Sequence, residues 1–145
     1  MHIYLDVCCL NRPFDDQSQD RIYFEAEAIL NILYRCQNEG WILAGSDVIE
    51  LELSKMTNHE KQARVRVLYS LHGPRLVLNE RIKERSRQLQ QAGLKLFDSL
   101  HLALAEFYHQ DALLTTDDGF MRAAARCEAV IPVKNPVSWL MEVIK

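Results

Sequence analysis

The chain predicts an α/β fold, a three-layer α/β/α sandwich around a central parallel sheet of about five strands. Three observations carry this. Short apolar runs (Ile3-Tyr4-Leu5, Trp41-Ile42-Leu43-Ala44, Leu76-Val77-Leu78, Ala112 to Thr115, and Val130-Ile131-Pro132-Val133) alternate with stretches of helical periodicity. Helix-length segments between successive runs favour parallel pairing through right-handed crossovers. Acids stand at the carboxyl ends of the first and fourth runs, where open α/β sheets collect function. No linker, repeat or low-complexity segment interrupts the 145 residues, so residues 1–145 are expected to form one domain.

Taken in order, the first strand runs into Asp6, and Val7 to Asp16, with Asn11, Pro13 and two acids, reads as a loop. Ser18 to Asp20 caps a long helix whose apolar face is Ile22, Ala26, Ile29, Ile32 and Leu33, ended by Gly40. After the second strand, Ser46-Asp47 starts a helix carrying Val48, Ile49, Leu51 and Leu53. Asn58 begins another through Val65 and Leu68, stopped by Gly73-Pro74. Past the third strand, Asn79 caps a helix that ends near Gly93. The next helix starts at Asp98, where free N–H groups and the macrodipole favour a carboxylate. Leu100, Ala103, Leu104, Phe107 and Tyr108 give it the i, i+3, i+4, i+7, i+8 stripe. The Leu113 strand precedes a helix from about Asp118 to Cys127, and Asn135-Pro136 introduces a last short helix through Trp139 and Val143.

A net charge of -3 excludes a protein that holds RNA by overall charge, so any nucleic-acid contact rests on local basic patches or metal ions. The cysteines (Cys8, Cys9, Cys36, Cys127) form no C-x-x-C pair and read as small hydrophobes in a reducing compartment. No apolar run approaches ~18 residues and the chain opens on a strand, so a cytoplasmic protein with no membrane contact is expected.

Asp6, Asp98 and Asp117 or Asp118 each stand at a strand end or helix start. Each alone reads equally well as a cap or loop starter. Together they suggest an acidic pocket, and clustered carboxylates repel unless a hard divalent cation joins them. Tyr4-Leu5-Asp6, an acid on the Ser46–Leu53 segment, Asp98-Ser99-Leu100-His101-Leu102-Ala103 and Thr115-Thr116-Asp117-Asp118-Gly119-Phe120 resemble, in order and spacing, the PIN domain. The resemblance covers essentially the whole chain. It implies a metal-dependent endoribonuclease using Mg²⁺ or Mn²⁺, and many small single-domain members are VapC-type toxins. Its implied partners are an RNA substrate, a cognate antitoxin protein and a second copy in a homodimer.

Asp6, Asp98 and Asp117 match the family's metal-site aspartates. The family's glutamate lies about six residues after a serine that follows the second strand; counting from Ser46 puts Glu52 ahead of Glu50, which sits on another helix face. Two positions depart from the pattern: Cys8 stands where Asn or Ser is common, and Thr116 where Asn is frequent. Phosphodiester cleavage needs charge stabilisation and an activated water, and no side chain is an evident covalent nucleophile, Cys8 and Cys9 having no base beside them in sequence.

Two other readings compete. A catalytically inactive module of the same fold would bind RNA or a protein partner without metal-stimulated cleavage. A metal-dependent phosphatase would act on small phosphomonoesters, but Asp6-Val7-Cys8 lacks the paired aspartates of the haloacid dehalogenase type. His101, one turn after Asp98, could face the pocket but reads rather as a packed or hydrogen-bonded histidine, because a hard cation prefers oxygen. Arg81, Lys83, Arg85 and Arg87 interleave with Glu80 and Glu84 as a solvated face. With Arg12 and Arg122 they are also candidate phosphate contacts.

Overall fold

The structure, a computed structural model, describes residues 1–144. Strands β1 (His2–Leu5), β2 (Ile42–Leu43), β5 (Ala112–Leu114) and β6 (Val133–Lys134) form one parallel sheet in the order β2-β1-β5-β6. Strands β3 (Gly45–Ser46) and β4 (Arg75–Leu76) form a separate two-stranded parallel ladder. The described residues also form eight α-helices: α1 (Val7–Asn11), α2 (Asp20–Asn38), α3 (Asp47–Ser54), α4 (His59–Tyr69), α5 (Glu80–Gln91), α6 (Leu96–Phe107), α7 (Asp118–Arg126) and α8 (Pro136–Val143). The parallel α/β architecture is the expected one. No helix among the described residues is long and apolar enough to cross a membrane.

The strand order explains where function collects. The chain leaves β1 for β2 on one side and leaves β5 for β6 on the other, so the carboxyl ends of β1 and β5 part at a topological switch point. Both strands are sealed: Ile3, Tyr4, Leu5, Leu113 and Leu114 have no exposed surface. Helices flank the sheet, with α2 against α8 and α5 against α6, and α3 beside α6.

Local chemistry set several helix starts as expected. Ser46, Asn58, Asn79 and Asn135 each accept a backbone N–H of the first turn, at 2.9–3.0 Å. Four expectations are corrected. Residues 7–14 are not a loop: Val7, Cys9 and Leu10 bury the face of α1, and a 3₁₀ turn (Arg12–Phe14) follows with Pro13 in its first turn, where no N–H is needed. The α6 helix begins at Leu96, two residues earlier than Asp98, with Lys95 at its N-cap, so Asp98 caps nothing. The third strand is Arg75–Leu76, and it pairs with Gly45–Ser46 rather than joining the central sheet. The last strand shifts to Val133–Lys134, where its register against β5 is set by Leu113 N–H donating to Pro132 O at 2.9 Å and Thr115 N–H to Lys134 O at 3.0 Å.

One buried charge ties the layers together. Glu25, 1% exposed on α2, accepts from Arg12 Nε (2.8 Å), Arg21 Nε (3.1 Å) and Asn135 Nδ2 (2.5 Å). It thus joins the 3₁₀ turn, α2 and the cap of α8. Removing the buried partner of such a network strands its donors, although both guanidinia here can turn to water. Glu25→Ala is therefore expected to lower unfolding free energy by about 1–3 kcal/mol, read by urea denaturation; an unchanged midpoint would show that the network adds nothing to stability.

Candidate active site

Asp6 follows β1 and extends its pairing by one bond, its N–H donating to Leu114 O at 3.0 Å. That bond fixes the backbone, and two donors fix the carboxylate. Thr115 Oγ1 donates to Asp6 Oδ2 at 3.0 Å, and Cys8 Sγ lies 3.4 Å from the same oxygen. Thr115 Oγ1 in turn accepts the Asp117 N–H at 3.1 Å, so one hydroxyl couples Asp6 to the turn that carries Asp117. Cys8 also takes the Thr116 N–H on its sulfur at 3.4 Å. The two positions that depart from the family's pattern thus touch each other, and Cys8 touches Asp6 directly.

A second chain of bonds comes from the other side. His101, fully buried on α6, bonds Glu52 Oε1 through Nε2 and faces Asp6 Oδ1 at 3.6 Å. Its Nδ1 is 2.5 Å from Tyr4 OH, which is 2.8 Å from Ser46 Oγ. Ser46 caps the helix that carries Glu52, and its N–H donates to Tyr69 OH at 3.1 Å. Burial alone would lower the His101 pKa, but Glu52, Asp6 and Asp98 outweigh it and the net shift is upward. With both ring nitrogens donating, Tyr4 accepts from His101 and donates to Ser46. Burial, with Asp6 and Glu52 nearby, raises the Tyr4 pKa well above its ordinary value and keeps it a neutral phenol.

The structure draws one atom each of Asp6, Glu52 and His101 to within 4.8 Å of one another. Asp98 and Asp117 lie outside that triad but line one groove of about 120 Å³. Asp98 has no hydrogen-bond or ion-pair partner among the described residues, and its pKa is pushed up to about 6 by burial, then by Asp6 and Asp117, against the opposing fields of His101 and Lys95. Asp117 is exposed and caps α7, accepting the Phe120 N–H at 3.2 Å. Two neighbouring acids point elsewhere. Glu50 pairs with Arg75 at 2.8 Å, and Asp118 with Arg21 at 2.8 Å. Several candidate phosphate contacts are likewise engaged: Arg12 with Glu25, Lys83 with Glu80, Arg85 with Glu106 and Arg87 with Glu84.

This donor set suits a hard divalent cation. It is rich in carboxylate oxygens, and Asp98 is an unpartnered, half-buried carboxylate whose pKa is raised by burial and then by the neighbouring Asp6 and Asp117. Sequence reasoning did not single out Tyr4, Ser46 and Tyr69 as a relay behind Glu52. Their only signal was position, Tyr4 facing inward on a buried strand and Ser46 capping the acid-bearing helix.

Two outcomes follow from this geometry. Tyr4→Phe leaves His101 Nδ1 buried without its partner, which is expected to lower stability by about 1–3 kcal/mol; thermal melts read it, and a melt matching wild type would mean the relay is not held. Asp98 binds a proton more tightly folded than unfolded, so its penalty is absent below about pH 4 and fully present above about pH 6. In chelator at pH 7, Asp98→Asn should therefore melt higher than wild type, the gap closing toward pH 4. Solvent screening keeps the gain near 1 kcal/mol, or roughly 2–4 °C. A mutant less stable at pH 7 would show that Asp98 has a structural partner.

The family model for the PIN domain matches residues 3–126. No curated protein matches the chain at a significant level. Among solved structures, VapBC2 from Rickettsia felis, bound to a DNA fragment from their promoter, superposes with a TM-score of 0.59 at 17% identity, over 93% of this chain and 98% of that one. PAE2754 from Pyrobaculum aerophilum superposes with a TM-score of 0.58 at 14% identity, over 99% of this chain and 90% of that one. At these identities the likeness is one of fold.

Proposed function

We propose that this chain, which belongs to the PIN domain family, is a metal-dependent endoribonuclease. The observation that carries this is the cluster of Asp6, Glu52 and His101, within 4.8 Å of one another, with the unpartnered Asp98 close enough to feel the charge of Asp6 and its pKa near 6. Asp6, Glu52, Asp98 and Asp117 are the residues that would hold Mg²⁺ or Mn²⁺. Bound among them, the ion would stabilise charge on the attacking and leaving oxygens of an in-line displacement and lower the pKa of water.

The chain's own contribution is orientation. Thr115 and Cys8 fix Asp6, the His101–Tyr4–Ser46 relay fixes Glu52, and the Phe120 N–H fixes Asp117. Asp98 alone keeps both carboxylate oxygens free. Arg75 draws Glu50 away, which favours Glu52 as the acid that α3 contributes. The likeness to the Rickettsia felis VapBC2 structure supports a toxin role with a cognate antitoxin partner. A cytoplasmic setting and a homodimer belong to the same proposal.

The test is cleavage of mixed RNA with Mg²⁺ or Mn²⁺, with and without EDTA. Chelation and Asp98→Asn should each abolish cutting. Glu52→Gln should lower it by roughly 10–100-fold or more, while Glu50→Gln stays near wild type. Cleavage that ignores EDTA would overturn the metal reading. Tight RNA binding with no cutting under either ion would make the chain a binding module instead.

A further inference from the structure

The groove beside Asp98 and Asp117 continues away from the acids. Helix α7 supplies one wall as a ridge of residues three apart, with Asp117 at its N-cap, then Phe120, Ala123 and Arg126. Nine residues at a rise of 1.5 Å set Arg126 roughly 13 Å along the helix from Asp117. Across from it, the turn into α6 contributes Gly93 and Lys95. Gly93 holds φ at +115°, a conformation that favours glycine, and no atom lies within 4 Å of where a Cβ would stand, so the wall is open there. At Gly119 a Cβ would come within 3.1 Å of Asp117 Oδ1, so a side chain there would crowd the carboxylate.

The two cations that line this groove differ from most others in the chain. Arg12, Arg21, Arg75 and Arg85 each answer a carboxylate. Lys95 and Arg126, both exposed, are in no ion pair among the described residues. A cleft lined by carboxylates repels a polyanion, and a chain of net charge -3 offers no general attraction. Unpaired cations in the same groove supply a local one.

We infer that Lys95 and Arg126 are phosphate contacts. In this inference, which rests on the ribonuclease reading, the groove carries the sugar-phosphate backbone of one RNA strand. One linkage lies at Asp98 and Asp117, and a neighbouring phosphate is held by the two cations. The groove is small, about 120 Å³, so the strand is taken to be single. Its floor is Phe120 and Ala123, both buried, with no exposed aromatic face for a base. The contact therefore positions the strand without reading its sequence.

The experiment measures binding of a short single-stranded RNA to the full chain by fluorescence anisotropy across a salt series. Ca²⁺ replaces Mg²⁺, since its flexible coordination supports binding without the near-ideal octahedral geometry that Mg²⁺ imposes. Each phosphate contact on a single strand adds about 0.7 to the slope of log affinity against log salt, or roughly 5-fold in affinity at 0.1 M. Lys95→Gln and Arg126→Gln should each flatten the slope by about that amount, and the double variant by about twice as much. Arg66→Gln, an exposed arginine of α4 outside the groove, should leave it unchanged. Wild-type binding with an unaltered slope in the double variant would overturn the inference while the ribonuclease reading stands. Equal affinity for a duplex of the same sequence would overturn the single-strand path. No measurable binding by wild type would overturn both the inference and the reading beneath it.

Discussion

Mutual repulsion of carboxylates is the constraint that the site's surroundings answer. At separations near 5 Å and an effective dielectric near 20, each like-charge pair costs about 3 kcal/mol. A hydrogen bond to a charged group returns about 1.5–3 kcal/mol, so no single donor holds the cluster together. The fold uses several at once. Asp6 has Thr115 and Cys8, Glu52 has His101, and His101 faces Asp6 as well. One buried imidazole between two carboxylates leaves the cluster short of positive charge. At Asp98, the acid without a donor, that shortfall adds to burial, and the two together bring its pKa to about 6.

The scaffold that keeps these groups apart from other charges is itself ionic. Arg21 reaches from α2 to Asp118 at 2.8 Å and to Thr116 O at 3.1 Å, gripping the residues on both sides of Asp117. Its other arm goes to Glu25, which also holds Arg12 and Asn135. The turn bearing Asp117 is thereby braced from α2, while the Asp117 carboxylate itself accepts only the backbone Phe120 N–H. Arg75 does the same service at α3, taking Asp47 and Glu50 and leaving Glu52 to the cleft. Arginine suits this because its planar fork bonds two acceptors in fixed geometry.

What the sequence made legible was what local chemistry decides. Ser46, Asn58, Asn79 and Asn135 announce their helices because a cap is a contact within three residues. Asp6 and Asp117 were legible less as single residues, each of which could be only a cap or loop starter, than as acids placed together after buried strands in the family's spacing. The misreadings arose where distant partners decide. The ends of β4 and β6 follow the register of Ser46 and Leu114, which no window around Leu76 or Val130 contains. Helix α1 is five residues long, too short to display a period, and Pro13 behind it suggested a loop. Lys95 offers no capping oxygen, so the start of α6 was drawn to Asp98, the nearest residue with the right chemistry. Choosing Glu52 over Glu50 depended on the family's spacing; the physical reason, Arg75, lies 25 residues from Glu50 in the chain.

Helix α7 shows how stability and site construction coincide. Its N-terminus favours a carboxylate and its last turn a cation, each by about 0.3–1 kcal/mol through the macrodipole. Asp117 and Arg126 occupy those ends. The arrangement that stabilises the helix therefore also sets a field along the groove, negative where the acids gather and positive a little over two turns away. Asp117, Phe120, Ala123 and Arg126 all line the groove, so the gradient runs along it. Neither end needed a strained backbone or a buried unpaired charge. The groove's polarity is a consequence of ordinary helix capping, placed beside a sheet whose switch point had already fixed where the acids would stand.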